Sequence, residues 1–523
     1  MLPGVTGPTT ATAPPAMSDR VASNTLIGLA EVAITAVISI FYVRLLFQAL
    51  GDIDYGIFTA LGASGLLSVI VVGGFNNAAL RYLALAAGGD DDGQRRTTMA
   101  STVVLYVGIT LALFVTAVAL RDFVLGTLRI PADRADAAAT VYWSVVGQFC
   151  FAAATAPFNA VRHAHQRFGL VSLVDIGQRV LVLVFLIALS LRPTLSDDAL
   201  ESVAMVVLAG AGLRFLIISS HSLATLPGSR FRLRNADTQH VRSIMRFARW
   251  SILNSLSAEG RNQFAILLIN VGFGPIVNGA YALGLSTNMM IQRFARAFNK
   301  SLHPAMTSLY GVDQDRDLAG LISVGCRYAA MVSVAPLAAV LVEMDNFLAL
   351  WIGDAPPNAA LYARLIALGT FARLVSSGFG AAINATDKMR PATLLGVGTD
   401  FATIGAGVVS IFAFDGPAWS LPAIIIVGSL VRNLIFVGYF GPQYGFRMGR
   451  WVREVIWPVG LSFSIVVGCG WIASRLLDPS IARLLLVGAV TVLSTAATIR
   501  WIVSSAAERE LLMKWIRRAT TRS

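Results

Sequence analysis

Apolar runs of about twenty residues recur along almost the whole chain, each long enough to cross a bilayer as a helix. Nothing limits the fold more tightly. Inside hydrocarbon every backbone N–H and C=O must be satisfied internally, and a continuous apolar run achieves this by coiling into a helix. Composition agrees: 13% of the 523 residues are charged and 56% are hydrophobic, against about 25% charged in soluble domains. The formal net charge of +12 is dispersed over short loops between apolar runs, which points to cytoplasmic arginines of a polytopic membrane protein and away from nucleic acid.

Fourteen apolar segments are predicted, at about 24–47, 54–80, 99–120, 137–158, 170–191, 200–225, 248–272, 276–300, 319–343, 361–384, 392–414, 419–440, 454–475 and 482–504. An even number leaves both termini on one side. Arg81, Arg95, Arg96, Arg162, Arg167, Arg230, Arg242, Arg246, Arg249, Lys388, Arg390 and Arg447 crowd one set of loops, while the other holds little beyond Arg121, Arg129, Arg134 and Arg192. The positive-inside rule then places both termini in the cytoplasm and the chain in the cytoplasmic membrane. Residues 1–19 read as a disordered tail without signal-peptide character, leaving Met17 as a second candidate for the first residue. At the other end, 505–523 is predicted to be a basic interfacial helix with Leu511, Leu512, Trp515 and Ile516 on one face.

The chain is also internally repeated. A shift of 223 positions carries Gly51 onto Gly274, Gly56 onto Gly279, Phe58 onto Tyr281, Phe75-Asn76 onto Phe298-Asn299, and Arg167 onto Arg390. Two related halves follow: 20–226 (segments one to six) and 248–440 (segments seven to twelve). They are joined by a basic linker, 227–247, and followed by two further segments in 441–504. Six segments per repeat is even, so the halves insert in parallel about an axis along the membrane normal, with a cavity between two lobes.

The repeated motifs LGDIDYGIF (50–58) and FGPIVNGAY (273–281), the Phe-Asn pairs, FLALWIGDAPP (347–357) and TDKMRP (386–391) resemble the polysaccharide-export branch of the multidrug/oligosaccharidyl-lipid/polysaccharide exporter superfamily. The resemblance covers about 20–440. It implies a flippase that moves an undecaprenyl-pyrophosphate-linked oligosaccharide to the outer leaflet, working among membrane lipids beside a glycosyltransferase and a polymerase. The residues themselves argue for transport over catalysis: no outward loop is long enough for an enzymatic domain, and no ATP-binding pattern is present.

Charges inside the segments are the candidate site, because each costs about 2.5–3.5 kcal/mol at mid-bilayer unless paired or hydrated. SLSAEGRNQ (255–263) in segment seven is the densest cluster. On a regular helix Asn254, Ser257 and Arg261 share one stripe and Ser255, Glu259 and Asn262 another, so the helix lines a cavity. Arg261 either forks onto the substrate pyrophosphate, with Asn262 beside it, or neutralises a carboxylate elsewhere. Arg293 and Arg296 either draw in the head group or anchor the helix at the interface, and the same alternatives apply to Arg81 and Arg44. Asp175 and Arg179 are spaced for an intrahelical pair, and Arg373 and Asp400 for an interhelical one. Arg214 and Arg432 sit mid-helix in corresponding segments. Glu31 and Glu259 are the carboxylates suited to coupling by H⁺ or Na⁺. The three cysteines fit buried hydrophobes, and His163 and His165 read as loop residues, so no metal or other cofactor is expected. An ion-coupled multidrug or cation antiporter of the same architecture is the alternative function, and it would want unpaired carboxylates where this chain has an excess of arginine.

Overall fold

The computed structural model describes residues 15–88, 91–165, 167, 169–191, 198–226, 231–289, 292, 315–386 and 388–504. The interior of each predicted apolar segment is helical where it is described, apart from short turns at Gly65 in segment two and at 375–377 in segment ten. The first half comprises α1 (Pro15–Ser64), α2 (Leu66–Gly88), α3 (Asp92–Thr127), α4 (Ala135–Ala164), α5 (Gly169–Leu191) and α6 (Ala199–Thr225). The second opens with α7 (Thr238–Ser255), α8 (Arg261–Phe273) and α9 (275–289). It continues through α10 (Asp315–Trp351), α11 (Ala359–Leu374), α12 (Gly378–Ala385), α13 (Met389–Ala413) and α14 (Ser420–Phe440). The tail adds α15 (Met448–Trp451), α16 (Trp457–Ser474) and α17 (Ile481–Thr498). Among the described residues nine helical stretches are long and apolar enough to cross a membrane, in α3–α6, α10, α13, α14, α15–α16 and α17. Large apolar side chains also point outward, among them Leu111, Phe123, Leu216, Phe414 and Leu493, as lipid-facing surfaces require. The chain is a multi-pass membrane protein.

Each half repeats one packing plan. The first helix packs on the fifth, the fourth on the sixth and the fifth on the sixth: α1 on α5, α4 on α6 and α5 on α6 in one half, α7–α8 on α13, α11 on α14 and α13 on α14 in the other. The repeat extends to single dihedrals. Gly51 has φ 70° and ψ −176°, and Gly274, 223 residues later, has φ 86° and ψ −178°. This left-handed backbone is accessible at little cost only to glycine, so both copies turn the chain in the same way between their first and second segments.

The halves meet at these turns, and the contact is itself two-fold. A Cβ at Gly56 would lie 2.0 Å from the Pro275 carbonyl oxygen, and one at Gly279 would lie 3.3 Å from the carbonyl oxygen of Asp52. Subtracting 223 turns the second pair into the first in reverse, because 279 − 223 = 56 and 275 − 223 = 52. Asn278 donates to the Gly56 carbonyl at 2.9 Å and to the Thr59 hydroxyl at 3.1 Å. Trp351 Nε1 donates to the Ile40 carbonyl at 2.9 Å, and one apolar cluster around Tyr55, Ile57, Tyr281 and Tyr362 runs through both halves. Towards the other end α7 packs along α2, Tyr82 donates to the Ser243 carbonyl at 3.2 Å, and Ser101 accepts from the Asp237 N–H at 2.9 Å.

Several boundaries differ from those predicted. The helix of segment seven begins at Thr238, ten residues early, capped by Asp237, whose side chain accepts from Gln239 N–H at 3.0 Å. Its basic exposed face (Arg242, Arg246, Arg249) hides it from a hydropathy reading. The same helix contains a π-helical turn at Leu256–Gly260. Segment ten is broken into α11 and α12. His163 lies in the last turn of α4 and His165 caps it, both half-buried and neither in a loop. Of the predicted disordered tail 1–19, residues 15–19 are already the first turn of α1, and the rest of it, with the interfacial helix 505–523, lies outside the described residues. The tail helices dock on α10, where buried Glu343 accepts from Arg483 at 2.8 Å and from Asn346 at 2.8 Å. Trp457, Trp471 and Trp501 on α16 and beyond α17 are exposed.

The glycine contact is directly testable. Gly56→Ala must displace a backbone carbonyl and is expected to destabilise the fold by about 1–3 kcal/mol. Gly279→Ala needs only a few tenths of an ångström of yielding and is expected to cost clearly less. Thermal unfolding of the two purified variants in one detergent checks the order.

Candidate functional site

The densest buried charge cluster gathers four helices around one carboxylate. Asp400 on α13, 7% exposed, accepts from Arg373 of α11 at 2.9 Å. Arg261 of α8 stands 3.5 Å from the same oxygen, and Arg432 of α14 stands 4.0 Å from the other. Among the described residues, three guanidiniums to one carboxylate leave a formal surplus of two positive charges. In a low-dielectric interior such a surplus is a strong attraction for an anion. The Arg261 side chain is 9% exposed, and its Nε has no hydrogen-bond partner, so one buried N–H is left without an acceptor.

Local irregularity puts these side chains in place. Arg261 is the first residue after the π-helical turn, and the extra residue in that turn rotates everything beyond it by about one position. Glu259 is exposed, Asn262 is half-buried and Arg261 turns to Asp400, the carboxylate elsewhere that was one of its two predicted partners, while the side chains of Asn254 and Ser257 lie outside the described residues. Arg373 lies one residue before α11 ends. The carbonyls freed by the break are taken up by neighbours, that of Ala372 by Asn433 Nδ2 at 2.5 Å and that of Val375 by Trp451 Nε1 at 3.0 Å. Asn433 also accepts from Ser376 at 2.6 Å, fixing the α11 break beside Arg432. Beside Arg261 a small space of about 60 Å³ is lined by Leu256, Gly260, Phe264, Asp400, Phe401 and Ile404.

The first half holds a second charged site. Arg214 of α6 donates to Asp175 of α5 at 2.6 Å, so the acid takes its partner from the neighbouring helix and not from Arg179 one turn along, as spacing predicts. Both arginines and the acid line a cavity of about 400 Å³ between α1, α5 and α6.

The remaining candidates are scattered. Arg44 is exposed and donates to the Leu350 carbonyl at 3.3 Å. Arg81 is exposed with its guanidinium 4.7 Å from the centre of the Phe247 ring. Glu31 lies on α1, and its side chain is outside the described residues, as are Arg293 and Arg296. Among the described residues no cluster of three or more histidine, cysteine or acidic side chains is arranged to hold a metal ion. The Arg373–Asp400 pair was legible from equal depth. That Arg261 and Arg432 share the same acid was not, although the scarcity of intramembrane acids beside so many arginines was a signal that one carboxylate serves several.

A family model described as "Polysaccharide biosynthesis protein" matches residues 21–310, more than half of the chain. The chain belongs to this polysaccharide biosynthesis family. Its fold is shared with solved transporters. A structure described as lipid II flippase MurJ, inward closed conformation, superposes with a TM-score of 0.68 at 11% identity, covering 92% of this chain and 100% of that one. An inward-facing multidrug resistance MATE family transporter of the MOP superfamily gives 0.65 at 11% identity, covering 78% and 94%. At that identity the likeness is one of fold. No curated protein matches significantly.

Removing Asp400 leaves three half-buried to buried guanidiniums without their shared counter-charge. Asp400→Ala is expected to cost about 3–5 kcal/mol of stability, whereas Arg373→Ala leaves the acid with two arginines and is expected to cost less. Thermal unfolding of both variants distinguishes these outcomes.

Proposed function

We propose that this polysaccharide biosynthesis protein is a flippase. It carries an oligosaccharide linked to undecaprenyl diphosphate from the inner to the outer leaflet of the cytoplasmic membrane, for exopolysaccharide, capsule or O-antigen assembly. The observation that carries this reading is the charge surplus around Asp400. A diphosphate diester bears two negative charges at neutral pH, the complement of three arginines less one acid. Arg261, with its unsatisfied Nε and Asn262 next to it, is the principal contact. Arg81, Arg293 and Arg296 gather the head group from the cytoplasmic side, and Arg44 meets it on the release side. The two repeated halves rock about their shared contact to expose the site alternately to either leaflet, with Glu31 and Glu259 as the carboxylates for coupling to H⁺ or Na⁺. A glycosyltransferase and a polymerase of the same assembly line are the partners this role requires, and no covalent step is assigned to the chain.

The pairing of the acids weighs against cation export on the same fold. Asp175, Asp400 and Glu343 are each taken by arginine, which leaves them poorly suited to receiving an organic cation.

The test is transbilayer movement of fluorescent undecaprenyl-diphosphate oligosaccharides in proteoliposomes. Wild-type protein is expected to move them, and Arg261→Ala is expected to slow movement about 10- to 100-fold, the value of a charge-assisted hydrogen bond. Unchanged movement in the variant would reduce Arg261 to a structural role. Folded wild-type protein that moves no glycan in a broad panel would remove the flippase reading in favour of antiport.

A further inference from the structure

The repeat that relates the halves also relates their two charged sites, and the two have diverged. In each half an aspartate on the fifth helix meets an arginine on the sixth: Asp175 with Arg214 at 2.6 Å, and Asp400 with Arg432 at 4.0 Å. The separations, 400 − 175 = 225 and 432 − 214 = 218, lie within a few residues of the 223-residue repeat. The first helix of each half supplies the third wall. There the second half offers Arg261, and the first offers the residue at 261 − 223 = 38, which is Ile38, a lining residue of the first-half cavity.

Replacing a guanidinium by an aliphatic side chain changes both charge and room. About 60 Å³ is open beside Asp400 and about 400 Å³ beside Asp175. The second-half site has surplus charge and little space, which suits the oxygens of a phosphate. The first-half cavity is in the size range of small-molecule pockets, and its wall mixes chemistries. Tyr42 and Gln178 both donate and accept hydrogen bonds, Ser39 accepts because its own proton goes to the Thr35 carbonyl at 2.6 Å, Asp175 accepts, and Arg179 and Arg214 donate. An alkyl chain placed there would strip water from these groups and return nothing. An inorganic cation would face two guanidiniums and one carboxylate. A pyranose ring satisfies the wall, because its hydroxyls donate and accept around the rim and its C–H face lies against an aromatic ring or aliphatic side chains. The Gln178 amide stem is seated on Gly210 of α6, where a Cβ would come within 3.1 Å of Gln178 Cγ. The helices that form the third walls, α1 and α8, pack against each other, so the two sites stand on adjoining elements.

We infer that the cavity between α1, α5 and α6 is a saccharide subsite. It receives a pyranose ring of the head group while the arginines around Asp400 hold the diphosphate, an assignment that rests on the flippase reading for its ligand and on the cavity alone for its chemistry.

Two measurements test it. In detergent, saturation-transfer NMR is run with a panel of methyl pyranosides (glucoside, galactoside, mannoside, N-acetylglucosaminide and glucuronide) on the full chain and on two variants. Val207→Trp fills the cavity from α6, and Gln178→Ala removes the amide while keeping the backbone. Transfer to the ring protons of at least one pyranoside in wild type, lost in Val207→Trp and weakened about fivefold in Gln178→Ala, is the expected result; fivefold corresponds to about 1 kcal/mol, one hydrogen bond. No transfer from wild type to any member, or transfer that both folded variants retain, overturns the subsite. In proteoliposomes, polyprenyl diphosphate bearing the preferred pyranose is compared with polyprenyl diphosphate alone. The variants are expected to slow the first about fivefold relative to the second. Ring contact without movement of either lipid would keep the subsite and remove the flippase; movement with an unchanged ratio between the lipids would do the reverse.

Discussion

Backbone against backbone is the contact on which this architecture turns. Gly56 lies against Pro275 and Gly279 against Asp52, two copies of one approach related by the repeat. In a membrane no hydrophobic force draws helices together, since lipid is as apolar as leucine, and close approach through small residues supplies the packing instead. The left-handed turns at Gly51 and Gly274 deliver the two copies to that meeting point in matching geometry. Because the closest atom on each side is a main-chain carbonyl oxygen, the contact carries little rotamer entropy. It holds the halves in register while leaving their wide helix faces available for lipid and substrate.

The same membrane that permits this packing makes each interior charge expensive, and the chain answers by sharing. One buried aspartate serves three arginines, and one buried glutamate serves an arginine and an asparagine that also reaches the Ser480 carbonyl. Sharing costs less desolvation than three separate ion pairs would, because only one carboxylate has to leave water. It also leaves a net positive interior, which is the property an anion carrier needs. Stability and the proposed attraction for substrate thus draw on the same four helices. That explains why α8 follows a π-helical turn and α11 breaks where they reach the cluster: both irregularities re-aim a side chain towards a common centre.

What could be read from the sequence was whatever depends on local spacing or on periodicity. The segments, the repeat and its glycines are patterns in one dimension, and they reappear as helices, repeated packing and equal dihedrals. The Arg373–Asp400 pair was legible because depth in a membrane is nearly a function of position along a segment. Azimuth is not. The pairing of Asp175 with Arg214 in place of Arg179 depends on how α5 faces α6, and the turn of Arg261 to Asp400 depends on one extra residue in a helical turn. The cavity between α1, α5 and α6 was equally invisible, because Ile38, Gln178 and Arg214 come together only once three helices have packed.

The tail gives the two halves different attachments to the bilayer. α16 and α17 dock on α10, where Arg483 of α17 bridges to Glu343, so they are fastened to the second half. Trp457 and Trp501 lie towards one end of this helical pair and Trp471 towards the other, all three exposed, and indole rings settle at the headgroup level of each leaflet. In the rocking proposed above, the second half would be moored at both faces of the membrane, like a hull held fore and aft, and the first half would be the partner that swings. Measured against the bilayer, a symmetric repeat would then have an asymmetric stroke.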